Sequence, residues 1–398
     1  MQKRLLFLGG NHVQMTAIKA AKDQGYYVIT ADYLPNNPGH KIADEYHNVS
    51  TVNKDAILEL AKGLRIDGIV SYASDVSAPT AAYVAEQLGL PTNPYDSVMV
   101  LTHKNLFRSF MAEHNYPMPK WGMFVDKNEA RKFIGTSTDP WIIKPVDSSG
   151  SKGVTKITSM DIFDEAWEIA MRYSLAKEVI IEQFIEKQEY QIDGDIFVEN
   201  GEIVFWGICD QHKDVTCAPY VPVGSSYPST QHEVYQDKAK TLIASILKDL
   251  NMTMGAYNVE YIIGKDGEVY ILEIGPRNGG NLIPDTICAA TGYDMATNTI
   301  RQAVGEACLQ FNADSKQKYC SSYIIHSQND GLLKEIKIDP SVNSRILKRI
   351  DFVDMNDQVN RYTHGGYGIG ALVIEFDSTE QMCRIIDSMN DYIQVNVN

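Results

Sequence analysis

The sequence has no long apolar run and no excess of basic charge. Its 398 residues contain no uninterrupted apolar segment of about 18 residues, the length that crosses a bilayer. The formal net charge is −15, from 36 basic and 51 acidic residues, whereas a general nucleic-acid-binding protein carries a basic patch or stripe. We therefore expect neither a membrane nor a nucleic acid as a partner.

The cysteines also lack a pattern. Six are scattered along the chain without any Cys-x-x-Cys spacing, so a cysteine-based metal or redox site is not predicted. The stretch MQKRLLFLGGNHVQ has a basic start and a short apolar run, but Gly9-Gly10 interrupts it and a small-residue cleavage site is missing. It is more typical of a first β-strand than of an export signal. We expect a cytoplasmic protein with free thiols.

Several short catalytic motifs are missing as well. The chain contains neither the G-x-x-x-x-G-K-[ST] loop of many nucleotide hydrolases nor a G-x-S-x-G nucleophile turn. The first strand is followed by GGNHVQM and not by G-x-G-x-x-G, so this stretch fits a structural turn at least as well as a dinucleotide site. A nicotinamide dehydrogenase is kept as an alternative.

Three segments differ in their predicted secondary structure. Strand-like and helix-like runs alternate up to about residue 95, which predicts a parallel, doubly wound sheet. Residues 96–310 mix strands and helices, with a hairpin whose turn is at Glu199-Asn-Gly and an irregular stretch at 211–230. Residues 311–398 are predicted to be β-rich. The expected fold class is α/β and α+β.

Lys144 ends the apolar run WIIKPV and is followed by the loop DSSGSKGV. An ammonium group that ends a buried strand needs an anion, and small residues let backbone N–H groups approach phosphate oxygens. Taken alone, the pattern fits a structural lysine beside a tight turn better than a phosphate-binding loop, and the motifs that follow add weight to the phosphate-binding interpretation.

The next polar positions lie in VIIEQFIEKQEYQIDG, where an apolar run ends at Glu182 and a further acid follows at Glu189. A strand that leaves the sheet at Ile185 can offer backbone groups to the edge of a base. A carboxylate placed beyond it can hold ribose hydroxyls. A charged turn is the alternative.

Two carboxylates lie inside neighbouring strand-like runs, Glu260 in GAYNVEYIIG and Glu273 in YILEIGPRNGGN. Strand interiors disfavour carboxylates, because a buried charge must be paired or bound to a metal. The turn GKDG between the runs predicts a hairpin in which both side chains face the same side. Magnesium prefers one or two carboxylates together with phosphate oxygens, so the hairpin predicts a metal site.

In this order the motifs resemble the ATP-grasp superfamily of carboxylate–amine ligases, which includes L-amino-acid ligases, purine-pathway enzymes and biotin carboxylase-like proteins. The resemblance spans roughly residues 1–306. It implies a Rossmann-like pre-ATP-grasp domain at 1–95, a two-lobed ATP-grasp domain at 96–310 with a lid lobe at about 120–185, and a small β-rich C-terminal subdomain at 311–398. It also implies that ATP phosphorylates a carboxylate and that an amine then displaces phosphate from the acyl phosphate.

The resemblance implies roles for individual residues. Lys144 and Arg277 would be catalytic, Arg277 by stabilising the acyl phosphate and its transition state. Glu260 and Glu273 would hold Mg²⁺, for which Mn²⁺ may substitute. The implied ATP-binding residues are Lys104, Lys144, Ser148, Ser149, Gly150, Ser151, Gly153, Glu182, Ile185 and Glu189.

The chain departs from the family pattern at one position. The family strand ends in Glu-x-Asn-Pro-Arg, whereas Gly275 stands here in place of the Asn. Asn278 and Asn281 are the candidates to replace it, and a second metal site stays open.

The substrates stay open too. Small-molecule carboxylate and amine substrates are implied, and a homodimer is an option. Phosphoribosylamine–glycine ligase and a non-catalytic ATP-binding homologue are the alternatives. The candidate residues for the acceptor substrate are Asn11, His12, Gln14, Ser74, Asp75, His212 and Lys213.

Overall fold

The computed structural model describes residues 2–135, 137, 139–148, 150–217, 219–311 and 317–398. Four β-sheets are formed by these residues, and parts of three of them surround one cavity. No helix in the described ranges is long and apolar enough to span a bilayer.

The N-terminal sheet is fully parallel, with strand order β3-β2-β1-β4. Its strands are nearly continuous apolar runs, as expected for strands buried on both faces. The elements up to residue 113 are β1 (Arg4–Leu8), α1 (Met15–Asp23), β2 (Tyr27–Ala31), β3 (Glu45–His47), α2 (Lys54–Leu64), β4 (Gly68–Val70), α3 (Ala78–Leu88), α4 (Tyr95–Thr102) and α5 (Lys104–Glu113).

A second, antiparallel sheet of order β5-β8-β6-β7 follows. Its own core contains Trp141, Phe163 and Trp167, all of them buried, and burying each such side chain stabilises the lobe by about 1.5–3 kcal/mol. This is the lobe that the sequence predicts as a lid. Its elements are β5 (Trp121–Phe124), α6 (Lys127–Ile134), β6 (Trp141–Pro145), β7 (Thr155–Ile157), α7 (Phe163–Tyr173) and β8 (Val179–Gln183).

The third group of elements builds most of the large sheet. The predicted hairpin turn is present, with Asn200 and Gly201 at positive φ. The prediction that 211–230 is irregular is wrong in part, because strands cover Lys213 and its neighbours and also 222–227. The elements are β9 (Gln191–Glu199), β10 (Glu202–Lys213), β11 (Pro222–Tyr227), α8 (Glu233–Asp249), β12 (Gly255–Ile263), β13 (Val269–Gly275), α9 (Ile283–Thr291) and α10 (Met295–Ala303).

The C-terminal segment is β-rich, as predicted, and three of its strands extend the same sheet. The large sheet has the order β13-β12-β9-β10-β11-β14-β18-β16, while β17-β15-β19 form a small separate one. The elements are β14 (Tyr319–Ile325), β15 (Gly331–Ile338), α11 (Pro340–Asn343), β16 (Ile346–Asp351), β17 (Gln358–Val359), β18 (Gly370–Phe376), α12 (Thr379–Asp387) and β19 (Ile393–Val397).

The N-terminal sheet is covered on both faces, which confirms the doubly wound prediction. Helices α2 and α3 pack on one face, whereas α1 and α10 pack on the other. Helix α10 comes from the segment that the sequence assigns to 96–310, so the N-terminal sheet is completed by a later part of the chain. The domain boundaries at 95 and 310 stay predictions.

Gly68 marks the close approach of β4 to the end of α10. A Cβ atom there would lie 2.5 Å from the carbonyl oxygen of Ala303, so Gly68→Ala should lower the free energy of unfolding by about 1–3 kcal/mol. The matched control is Gly63→Ala in α2, where a Cβ meets nothing within 4 Å and Ala should stabilise the helix by up to about 1 kcal/mol. Denaturant unfolding of both variants measures this, and equal effects would contradict the packing described.

Candidate active site

One cavity of about 930 Å³ lies between the lid lobe, the large sheet and the loops of the N-terminal sheet. Gly153 and Glu189 are not in its wall, and Ser149 lies outside the described residues. The predicted site residues that line it are Lys104, Lys144, Ser148, Gly150, Ser151, Glu182, Ile185, Glu260, Glu273 and Arg277.

Lys144 on β6 faces a buried carboxylate and not only the open cavity. Its ammonium forms an ion pair with Glu182 on β8, and the other oxygen of Glu182 accepts from Nε of Arg108 at 2.5 Å. Burial raises the pKa of Glu182, but Arg108 and Lys144 outweigh burial and lower it to about 2. Burial lowers the pKa of Lys144, against the effect of Glu182. Both oxygens of Glu182 are therefore occupied, and its side chain positions the lysine.

Arg108 holds the carboxylate of Glu182 in place. It is 1% exposed and donates to the carbonyl oxygens of Ile271 (3.1 Å) and Leu272 (3.2 Å). The register of the β12–β13 pair shifts at this point, and such a bulge leaves backbone groups unpaired. One buried guanidinium thus satisfies these carbonyls and also holds the lid carboxylate Glu182.

The loop after Lys144 closes against the rest of the protein. The Gly150 carbonyl accepts from the backbone N–H of Gly365 at 3.1 Å, and the Ser151 hydroxyl donates to the carbonyl of Tyr220 at 3.0 Å. Gly153 has φ +74° and a Cβ there would lie 2.9 Å from Cγ of Pro145. Gly153 is thus required by the turn, outside the cavity wall.

The two ends of the predicted nucleotide site differ. At the phosphate end, Lys104 donates from Nζ to the Ser148 carbonyl at 2.8 Å, which ties α5 to the loop. At the base end, Ile185 lines the cavity, whereas Glu189 is exposed and does not. The structure therefore does not bring Glu189 to the other predicted site residues.

Glu260 and Glu273 lie directly opposite each other in the β12–β13 register. Glu260 accepts one hydrogen bond, from Nε2 of Gln191 at 2.8 Å, and Glu273 has no side-chain hydrogen bond or ion pair within the described ranges. Burial, followed by the charge of Glu273, raises the pKa of Glu260. Like charges in this arrangement repel each other, so the pair fits a shared cation.

Arg277 makes a two-pronged ion pair with Asp75 from the N-terminal segment. Its Nε and Nη2 each lie 2.7 Å from an Asp75 oxygen. Burial raises the pKa of Asp75, but Arg277 outweighs burial and lowers it. The guanidinium is therefore fixed in orientation beside the carboxylate hairpin.

This ion pair crowds the position at which glycine replaces the family's asparagine. A Cβ at Gly275 would lie 2.9 Å from Oδ1 of Asp75 and 3.1 Å from the guanidinium carbon of Arg277, so a side chain there would displace the two ion-paired groups. Asn278 is fully buried, accepts from Thr299 and is outside the cavity wall. Asn281 does line the cavity. Of the two candidate replacements, only Asn281 lines the cavity.

The comparisons with known proteins agree with this geometry. Residues 102–281 match the family model for the ATP-grasp domain, and an L-amino acid ligase from Bacillus licheniformis superposes with a TM-score of 0.82 at 18% identity, over 100% of this chain and 99% of that one. Residues 102–281 thus form a segment that is similar to ATP-grasp domains.

Two curated relatives are similar to this chain over a large part of its length. A formate-dependent phosphoribosylglycinamide formyltransferase of Prochlorococcus marinus is 24% identical, over 69% of this chain and 70% of the relative. An uncharacterized protein of Sinorhizobium fredii is also 24% identical, over 73% of this chain, and the match spans only 60% of that relative's length.

The ATP-grasp resemblance and the predicted fold class are therefore confirmed. The roles of individual residues, a homodimer and the cellular location stay predictions. Of the acceptor candidates, Asn11, His12, Asp75, His212 and Lys213 line the cavity. Gln14 is instead buried, and its amide nitrogen donates to the carbonyls of Leu8 and Tyr72. Ser74 is outside the cavity wall.

Sequence reasoning missed Arg108, Asp193 and Gln211. Arg108 carries no local signal, since its partners are far away in the chain. Asp193 did carry one, because QIDGD places polar residues at alternate positions and therefore on one face of a strand. Gln191, Asp193 and Asp195 share that face of β9, next to Glu260.

Glu273→Gln removes one of two opposed charges without changing shape. We expect the variant to melt at a higher temperature than the wild type in EDTA, since the repulsion is gone, and to lose most of the stabilisation that Mg²⁺ with ADP gives the wild type. Melting curves with and without Mg²⁺·ADP measure both effects. Glu268→Gln, an exposed position in the same hairpin, is the matched control. A lower melting temperature in EDTA, or an unchanged response to Mg²⁺·ADP, would contradict the metal-ligand assignment.

Proposed function

We propose that the protein is an ATP-dependent carboxylate–amine ligase that works through an acyl phosphate and releases ADP and phosphate. The observation that carries this proposal is the composition of one cavity. Cationic groups from the lid side, Lys104 and Lys144, face the opposed carboxylates Glu260 and Glu273 and the guanidinium of Arg277. About 930 Å³ is at the upper end of the range for small-molecule sites, enough for a nucleotide and a second small molecule.

The nucleotide is assigned to the lid side of the cavity. Lys104 and Lys144 carry the charge that phosphates require, and the Gly/Ser loop that follows Lys144 would supply backbone N–H groups. Because Glu182 is occupied by Arg108 and Lys144, adenine would be read by the backbone from Gln183 to Ile185. Phosphoryl transfer needs mainly positioning and charge neutralisation from a protein, which this wall supplies.

Glu260 and Glu273 are assigned as ligands of Mg²⁺. Their direct opposition, and the absence of a direct ion pair to Glu273 among the described residues, fit a hard cation that takes one or two carboxylates and phosphate oxygens. Such a cation supplies charge neutralisation at the transferring phosphate. Substitution by Mn²⁺ is a further part of this proposal.

Arg277 is assigned to the charge that develops on the acyl phosphate. Asp75 fixes its plane, so little reorganisation is needed when charge forms. The arginine follows β13 directly and therefore lies next to the carboxylate hairpin. Fixed donors of this kind favour the transition state over the bound substrate.

The two alternatives differ from this proposal in what they require. A phosphoribosyl substrate, which the name of the Prochlorococcus relative suggests, requires a basic cluster at the acceptor end, where Asp193, Gln211 and Lys213 line the described wall. A non-catalytic homologue would have no need for two opposed carboxylates beside a fixed arginine. The ligase accounts for both observations.

A coupled assay tests the reaction class. We expect ADP release only when both a carboxylic acid and an amine are present, and hydroxylamine should intercept the acyl phosphate as a hydroxamate. The assay screens pairs of acids and amines with Mg²⁺·ATP. Tight ATP binding without ADP release from any pair would favour the non-catalytic alternative, and activity confined to phosphoribosyl amines would favour the purine-pathway one.

Lys144→Ala tests the nucleotide side. Glu182 keeps Arg108 as its partner, so the fold should persist, whereas loss of a charged phosphate contact should weaken ATP binding by about tenfold or more. Isothermal titration and a melting curve without nucleotide separate the two effects. Lys132→Ala, an exposed position on α6, is the control. Unchanged ATP affinity together with a large loss of stability would assign Lys144 a structural role only.

A further inference from the structure

The floor of the cavity beside the carboxylate hairpin is a polar strip on one face of the large sheet. Registers in the sheet put Gln191 and Asp193 of β9 on the same face as Gln211 of β10 and Glu260 of β12. The opposite face of these strands carries Ile192 and Ile196 and packs on α8. The strip is therefore a built surface that the core supports from behind.

Two buried atoms in this strip have no partner among the described residues. Asp193 is 3% exposed and Gln211 is 1% exposed, yet Oδ1 of Asp193 and Oε1 of Gln211 make no hydrogen bond. Both side chains line the cavity. A buried polar atom without a partner costs about 1–3 kcal/mol, and a ligand group that donates to these two atoms would remove that cost.

The hydrogen bonds of the two side chains indicate whether a ligand here must donate or accept. The Gln211 amide nitrogen donates to Oδ2 of Asp193 at 3.1 Å, and the Ser225 hydroxyl donates to the same oxygen at 3.1 Å. A carboxylate only accepts, so the free Gln211 atom is its carbonyl oxygen. Both unpartnered atoms are acceptors, and the ligand must be a donor.

The charges around the strip indicate which charge the donor group of the ligand should carry. Asp193 lies on the same face of the sheet as Glu260 of the adjacent strand β12. The nearby cation, Lys213, donates to Oε1 of Gln191 at 2.8 Å, and burial lowers its pKa to about 8. An anionic or phosphorylated group would be repelled by the carboxylates, whereas a compact cation with several N–H donors would be attracted.

We infer that Asp193 and Gln211 form the binding site for the amino group of the second substrate, which is a cationic primary amine such as the α-amino group of an amino acid. This inference rests on the proposed carboxylate–amine ligase function and names the amine subsite within it. An ammonium group has three N–H donors, enough to satisfy both free acceptors.

The test is a binding screen that does not depend on turnover. The probes are the twenty protein-forming L-amino acids, each beside its 2-hydroxy or deaminated analogue, and inorganic phosphate and ribose 5-phosphate, added to the protein with Mg²⁺ and a non-hydrolysable ATP analogue. We expect at least one amino acid to raise the melting temperature while its amine-free analogue does not. Stabilisation by the phosphorylated probes alone, or by no amine at all, would overturn the inference.

Variants locate the effect. Asp193→Asn keeps the shape but removes the charge and turns one carboxylate acceptor into an N–H donor, so amine affinity should fall at least tenfold with nucleotide affinity unchanged. Asp210→Asn is the control, because Asp210 is equally buried, on β10, but faces the other side of the sheet and is outside the cavity wall. Unchanged amine affinity in Asp193→Asn would overturn the inference.

The outcomes separate this inference from the ligase proposal. Amine binding that depends on Asp193, without ADP release from any pair of substrates, would contradict the ligase proposal and support the amine subsite. Amine-dependent ADP release with an unchanged KM for the amine in Asp193→Asn would support the ligase proposal and contradict the amine subsite.

Discussion

The site depends on two carboxylates that face each other across adjacent strands. Glu260 and Glu273 are paired in register, and among the described residues Gln191 donates to Glu260 while no side chain donates to Glu273. In a sheet, this arrangement costs free energy unless a cation neutralises it. Without a cation, the hairpin is therefore less stable than one with neutral side chains, and binding of a cation would stabilise it. The repulsion that lowers the stability of the hairpin is also what favours cation binding.

The surrounding structure keeps this hairpin in place through two arginines. Arg108 satisfies the carbonyls at the bulge in β13 and also holds Glu182, so the lid lobe is tied to the metal-site strand. Arg277 ties the end of the same strand to Asp75 of the N-terminal segment. Each arginine is buried or nearly so, and removing a partner from such a pair costs about 3–5 kcal/mol. The lid lobe, the large sheet and the N-terminal segment are thus coupled at one strand.

Much of this site follows from local sequence. A carboxylate inside an apolar strand has few explanations, so the pairing of Glu260 with Glu273 could be predicted, as could Lys144 at a strand end. The partners of Glu182 could not, because Arg108 lies 74 residues away in sequence. Glu189 is exposed and outside the cavity wall. The sequence could not show this, because a linker does not fix which way its side chains point. The crowding of Gly275 by the Arg277–Asp75 ion pair is visible only in the three-dimensional structure.

The central claim is that the opposed carboxylates are a cation site and not a strained remnant. Anomalous diffraction from a crystal grown with Mn²⁺ and ADP tests it most directly, since Mn²⁺ replaces Mg²⁺ at oxygen sites and scatters anomalously. The account predicts a peak in contact with oxygens of both Glu260 and Glu273. A nucleotide bound beside Lys144 with no peak at these carboxylates, or with the peak held by other residues, would contradict it.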